Sequence, residues 1–354
     1  MKKPKKLRSR KAGLPPGSLI HIGELKTASA TISLIDYGAS GISEAILTDT
    51  PALSTYARQH GTLWANLYGQ HTAASLTALG NCFGLHPLVL EDVLNTDQRQ
   101  KVDAYENYLY VVLHRYELGA SPIDLVQDQI SIIIGHDWLL TFQERPSNTF
   151  EPVRQRLRGD RNNIRENGTD TLAYSLFDSV VDSYFGIIEH LYEHAESLES
   201  EILGRPLPST LEGIHQLKRC VSQLRRNLQP LRELLGSMHR ENARFFRPEV
   251  QLYLRDVYDH TVHILESLED LRDLAGGLLD VYLSTVSHRV NLEVRALTVV
   301  ATVFMPATLI AGIFGMNFHQ MPWLEQPAGF LYAIGLMAGI AAIMLALFWR
   351  RRSN

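Results

Sequence analysis

The sequence predicts an α+β membrane protein: an N-terminal α/β domain, then long charged helices, then two C-terminal transmembrane helices. Three observations carry this. Residues 296–317, ALTVVATVFMPATLIAGIFGMN, contain no charge, and at 1.5 Å per residue their roughly 19 apolar positions cover about 30 Å, the thickness of a bilayer's hydrocarbon core. A second charge-free run, residues 330–349, follows a short loop and closes against Arg350, Arg351 and Arg352. Strand-like patterning is confined to the first 143 residues, and helical periodicity takes over beyond them.

In chain order, residues 1–13 are a basic tail expected to be disordered, and Leu14-Pro15-Pro16-Gly17 opens a folded domain over 14–145. There, β-branched and aromatic runs at 32–37, 62–67, 108–117, 129–134 and 138–142 read as strands of one sheet. Residues 71–83 and 87–95 read as helices, the second with Pro87 in its first turn. Residues 146–247 hold charged helices at 169–203 and 209–240, separated by Gly204-Arg205-Pro206, with Pro230 expected to kink the second. The first is strongly acidic, carrying Asp178, Asp182, Glu189, Glu193, Glu196, Glu199 and Glu201.

Pro248 opens a helix with no clear stop before Gly312, giving a long element over 248–314 that includes the first span and reaches about 100 Å. Leu271, Leu274, Leu278 and Val281 have the spacing of a packed seam. An outer loop (315–329), the second span (330–349) and a basic C-terminus (350–354) complete the chain. Arg289 and Arg295 precede the first span while the loop has no Lys or Arg, so both chain ends face the cytoplasm.

Composition excludes several classes. With two cysteines, Cys82 and Cys220, neither a disulfide framework nor a cysteine zinc site is available. A net charge of -4 does not point to nucleic acid. The basic start lacks an apolar segment behind it, so no signal peptide is expected and the bulk of the chain stays in the cytoplasm. No Walker A pattern is present, which argues against ATP-driven transport.

Two spans cannot enclose an aqueous path, so a pore requires several chains around an axis. Asn291, Val294, Thr298, Ala301, Met305, Thr308 and Gly312 share one face of the first span, with Leu297 competing with Thr298 for the same register position. Such small and polar residues equally suit helix packing. Gly315-Met316-Asn317 follows, in the context GMNFHQMP, and HPLVLEDVLN (86–95), DVYDH (256–260), LDVYLS (279–284) and Phe304-Met305-Pro306 accompany it. With these stretches the sequence resembles the CorA family of divalent-cation channels, from about Leu14 to the C-terminus.

The resemblance implies a homopentamer in the cell inner membrane, with cytosolic domains forming a funnel and first spans lining the pore. Asn317 is then the ring at the outer mouth, shaped by Gly315 and Met316. Asn291, Thr308 and Gly312 line the pore, and Val294, Leu297 and Met305 narrow it as a hydrophobic gate. Asp92 and Asp256 from neighbouring subunits hold a regulatory cation, with Glu91 and Asp178 assisting; judged on residue type alone, both aspartates also suit helix caps or solvated surface. Mg2+ is both cargo and regulator, Co2+ and Ni2+ are further cargo, and no organic cofactor is implied. Expected partners are further copies of the chain, membrane lipid and divalent cations, not nucleic acid.

A ring of neutral amides suits Mg2+, which sheds water reluctantly: it hydrogen-bonds the hydrated ion without trapping it. The outer loop departs from the family pattern, since His319 and Trp323 stand where acidic residues are common and Glu325 is left alone. Two rival features remain. His190-Leu191-Tyr192-Glu193-His194 matches the H-x-x-E-H zinc pattern without an evident third ligand, and a related branch of the superfamily handles Zn2+. Gly335 and Gly339 form a GxxxG in the second span. Zn2+ transport, and a non-conducting membrane-anchored sensor or scaffold, are therefore the alternatives.

Overall fold

A computed structural model of the chain describes residues 13–23, 26–27, 30–47, 51–69, 72–119, 121, 123–159, 161–316 and 328–352. Most of the basic tail, and the outer loop with Asn317, His319, Trp323 and Glu325, lie outside the described residues. The elements run β1 (Thr31–Gly38), β2 (Gly41–Leu47), α1 (Pro51–Ser54), β3 (Thr62–Tyr68), α2 (Ala73–Phe83), α3 (Pro87–Val93), β4 (Lys101–Ala104), β5 (Leu109–Leu118), β6 (Leu125–Ile134) and β7 (Trp138–Gln143). They continue as helices α4 (Glu151–Gly159), α5 (Thr169–Gly204), α6 (Pro208–Arg240), α7 (Pro248–Phe314) and α8 (Gly329–Arg352). The chain divides into two compact units.

The first unit reaches Ser200 and resumes over Glu212–Gly277. Its strands form one seven-stranded sheet in the order β2-β1-β3-β7-β6-β5-β4; every neighbouring pair is antiparallel except β3 and β7. Both faces are covered, which is why β5 is buried along nearly its whole length. One face packs on α2 and α3 through Leu76, Leu79, Val89 and Leu90. Across the sheet, Phe150 meets Trp64 edge to face, and the Tyr184 hydroxyl of α5 donates to the His114 carbonyl of β5. Pro87 occupies the first turn of α3 and His86 caps it, its Nδ1 accepting from the Leu88 amide at 3.2 Å.

Two strands are additional to the expected five. β2 pairs with β1 across Ala39-Ser40, a two-residue turn that Gly41 leaves at φ 145°. A Cβ on the opposite Gly38 would lie 1.9 Å from the His60 carbonyl oxygen. Both β2 and β4 are edge strands with mixed burial, so they lack the apolar runs that mark interior strands.

Beyond the sheet, α5, α6 and the first part of α7 pack through rows spaced by three and four. Leu176, Val180 and Tyr184 of α5, Leu217, Val221, Leu224 and Leu228 of α6, and Val257, Thr261, Ile264 and Leu268 of α7 are buried. The buried row on α7 continues as Leu271, Ala275, Leu278 and Tyr282, whereas Leu274 and Val281 are 37% and 42% exposed. The expected seam is thus half right: at 100° per residue the latter pair lies on its flank. Asp170 joins the starts of α5 and α7, accepting from the Arg247 amide at 3.0 Å and from Nε and Nη2 at 2.9 Å each. Burial raises its carboxyl pKa, but these bonds outweigh burial and leave it lowered.

The second unit holds residues 201–211 and everything from Leu278 onward. The α5–α6 turn is tied to α7 there: the Tyr282 hydroxyl donates to the Leu207 carbonyl at 3.3 Å, and Arg289 to that of Gly204. Pro230 and Pro306 lie inside helices that continue through them.

Candidate ion pathway and acidic cluster

Among the described residues, none of the most apolar 18-residue window of α7 is buried, and only 6% of that in α8 is. Apolar side chains left bare over this length fit a helix that crosses a bilayer, because in water they would expose a far larger apolar patch than soluble chains carry. On α7, Ala301, Met305, Thr308 and Gly312 recur every three or four residues and line one open groove with Phe304, Leu309, Ile313 and Met316. Val294, Leu297 and Met305 are 55%, 70% and 70% exposed, and Asn291 is exposed as well.

Each threonine hydroxyl named here is directed inward to the backbone. Thr298 donates to the Val294 carbonyl at 2.7 Å, Thr302 to that of Thr298 at 2.7 Å, and Thr308 to that of Phe304 at 3.0 Å. With its proton committed to the helix, each hydroxyl presents only acceptor lone pairs outward. Acceptors without donors suit the outward-pointing protons of a cation's hydration shell. At the end of α7 the Gly315 amide bonds to the Ala311 carbonyl at 2.9 Å and the Met316 amide to that of Ile313 at 3.2 Å, so the helix closes just before position 317.

The acidic residues fall into two groups in the first unit. Asp178 and Asp182, one turn apart on α5, meet His260 of α7, with one ligand atom from each lying within 4.8 Å of the others. His260 Nδ1 is 3.7 Å from Asp182, and its Nε2 is 3.8 Å from Asp256, one turn earlier on α7. The Asp178 pKa is raised, first by burial and then by the Asp182 charge, with Asp256 adding to it. Two carboxylates and an imidazole thus converge, a donor set that divalent cations accept, with Asp256 at the other ring nitrogen of His260.

Asp92 stands in the other group and is engaged already: its carboxylate takes the Lys101 ammonium at 2.7 Å and the Gln98 amide, while Glu91 accepts from the Gly17 amide. Neither Asp92 nor Asp256 caps a helix; both lie inside one.

Sequence reasoning selected Asp178 and Asp256 but missed Asp182 and His260. The signal was present as two i, i+4 pairs, Asp178 with Asp182 and Asp256 with His260; it needed the pairing of α5 with α7 to become a site. Among the described residues, His190 and His194 join no set of three ligands; His190 instead lies 3.8 Å from Glu193.

Comparison with known proteins places these features. The model of CorA-like Mg2+ transporter proteins matches residues 59–352. The chain belongs to the CorA-like Mg2+ transporter family. It is 40% identical over 344 residues to the cobalt/magnesium transport protein CorA of Thermotoga maritima, covering 97% of this chain and 98% of that one. The fold matches the complete structure of the CorA magnesium transporter from Methanocaldococcus jannaschii with a TM-score of 0.74 at 22% identity, over 93% of this chain and 99% of that one. A weaker likeness, 22% over 223 residues, extends to the zinc transport protein ZntB of Photorhabdus laumondii, covering 63% of this chain and 66% of that one. As a CorA-family membrane protein the chain is a divalent-cation transporter, and the two uncovered apolar helices are its candidate spans.

Proposed function

We propose that the chain forms a homopentameric channel in the cell inner membrane that admits Mg2+, and also Co2+ and Ni2+, with both termini in the cytoplasm. Five copies of α7 surround the path. Asn317, shaped by Gly315 and Met316, greets the hydrated ion; Asn291, Thr308 and Gly312 pass it on; Val294, Leu297 and Met305 close around it when the channel is shut. The observation that carries this reading is the bare face of α7 on which Met305, Thr308 and Gly312 line one groove, with the Thr308 hydroxyl proton turned away from the groove to the helix. Arg289, Arg295 and Arg350–Arg352 on one side of the spans support the orientation. A divalent cation moving inward down about 100 mV releases roughly 4.6 kcal/mol, enough for uptake without ATP.

Gating follows from the carboxylates. Asp256 and Asp178 of one subunit, facing Asp92 and Glu91 of the next, repel one another until a cytosolic Mg2+ bridges them and holds the assembly shut. Because Asp92 is bound to Lys101 within its own subunit, the cation must displace that ammonium. His260 beside the cluster favours borderline metals over Mg2+, and with the ZntB likeness it supports Zn2+ as the second reading. Liposomes loaded with Mg2+- or Zn2+-sensitive dye separate the two. Mg2+ entry supports the first reading, Zn2+ entry without Mg2+ entry selects the second, and no entry of either refutes both.

A further inference from the structure

A cleft of roughly 860 Å³ lies in the first unit between the segment leading into β4 and the middle of α6. Apart from Pro230, every residue lining it is polar, and three are arginines, Arg99, Arg225 and Arg226, against one acid, Asp97. This is the size of a small-molecule site, but its walls are guanidinium and carboxamide rather than apolar. Neither the ion path nor the acidic cluster uses it.

Gln100 binds its two walls together, donating from Nε2 to the Asn227 carbonyl at 2.7 Å. Arg99 is held by Glu233 at 2.9 Å and Arg225 by Glu269 at 2.6 Å, so both guanidinium planes are positioned with donors to spare. Arg226 lines the cleft and bonds to no other described residue. Gln223 and Gln229, about one turn either side of it on α6, likewise have unused carboxamides. A row of unpaired donors around one uncompensated cation, opposite a second arginine, is a receptor for an anion with several acceptor oxygens. Phosphate matches the guanidinium fork better than any single point charge does. The wall is also tied to the candidate regulatory site: Gln98 lines the cleft, donates its side-chain amide to Asp92, and accepts from His114 Nε2 at 2.8 Å through its carbonyl.

We propose that this cleft binds a soluble anion carrying two or more linked phosphate groups, with Arg226 as its principal cation and Arg99 opposite. The site is independent of the transport reading, because binding can be measured without any divalent metal. Pyrophosphate and ATP are titrated separately into the detergent-purified full chain in EDTA at physiological ionic strength, with the heat of binding recorded. Both bind saturably, one per chain, and Arg226→Ala weakens both by about tenfold or more, as loss of a charge-assisted pair requires. Arg226 is exposed and makes no hydrogen bond or ion pair with the described residues, so its removal spares the bonds that hold the fold. Arg232→Ala, on the same helix outside the cleft, leaves the affinity unchanged. Absence of saturable binding by either anion, equal affinity in the Arg226→Ala protein, or an equal loss in Arg232→Ala overturns the proposal.

Discussion

Replacing Asp182 by Asn tests whether the acidic cluster stores repulsion that a cation relieves. The ligand oxygens of Asp178 and Asp182 lie within 4.8 Å of one another. Two unit charges at that separation repel by about 0.9 kcal/mol in bulk water and about 3.5 kcal/mol at an effective dielectric of 20. The Asp182 side chain is 55% exposed, so solvent screening sets the value near the lower figure, about 1 kcal/mol. The sign follows from Asp178, whose pKa is raised, largely by burial and next by Asp182. A carboxyl whose pKa is raised in the fold costs stability as pH rises through the folded value, and the Asp182→Asn substitution removes the part of that cost due to Asp182. Melting is followed by tryptophan fluorescence in EDTA and again in saturating Mg2+. The Asp182→Asn protein melts about 2 °C higher than the parent in EDTA, and its gain on adding Mg2+ is smaller because one ligand is gone. A lower melting point in EDTA, or an undiminished gain from Mg2+, refutes the reasoning.

Lys101→Met removes the ammonium that competes for Asp92 and lowers the half-saturating Mg2+ concentration for thermal stabilisation by roughly twofold to fivefold, the value of a partly exposed ion pair. Met305→Ala shortens a side chain that is 70% exposed on the groove face of α7; liposome Mg2+ entry under closing, high internal Mg2+ rises above the parent's because the constriction widens. Burial lowers the pKa of His114 from 6.5, so the fold holds it neutral while the unfolded chain protonates below 6.5. Stability is therefore lost as pH falls from there, at up to about 1.4 kcal/mol per pH unit, and the pH slope of the melting temperature is shallower in His114→Gln.

Much of the architecture was legible because its signals are local. The two spans, the Pro87 helix start and the long helices read from Thr169, Ser209 and Pro248 each follow from helical periodicity, runs of apolar residues or a proline at a first turn, and the second of these long helices in fact begins one residue earlier, at Pro208. Edge strands β2 and β4 were not, since a strand paired on one side needs no apolar run; nor was the exposed position of Leu274 and Val281, since a 3,4 spacing fixes a face only to within a flank. The acidic cluster was half legible for a related reason. Residues one turn apart on a helix can be read from a sequence, but the meeting of Asp178 and Asp182 with His260 depends on how α5 lies against α7. Nothing in residue type indicated that Asp92 is occupied by Lys101, a contact made across a loop.

The central claim is that first spans from several copies surround a hydrated cation that position 317 admits. It is tested most directly by Mg2+ entry into dye-loaded liposomes carrying the parent chain or Asn317→Ala, with the oligomer sized in parallel. The account predicts Mg2+ entry for the parent, and for Asn317→Ala an oligomer of unchanged size with entry abolished. Undiminished entry through Asn317→Ala, or a parent that is monomeric in lipid, contradicts it.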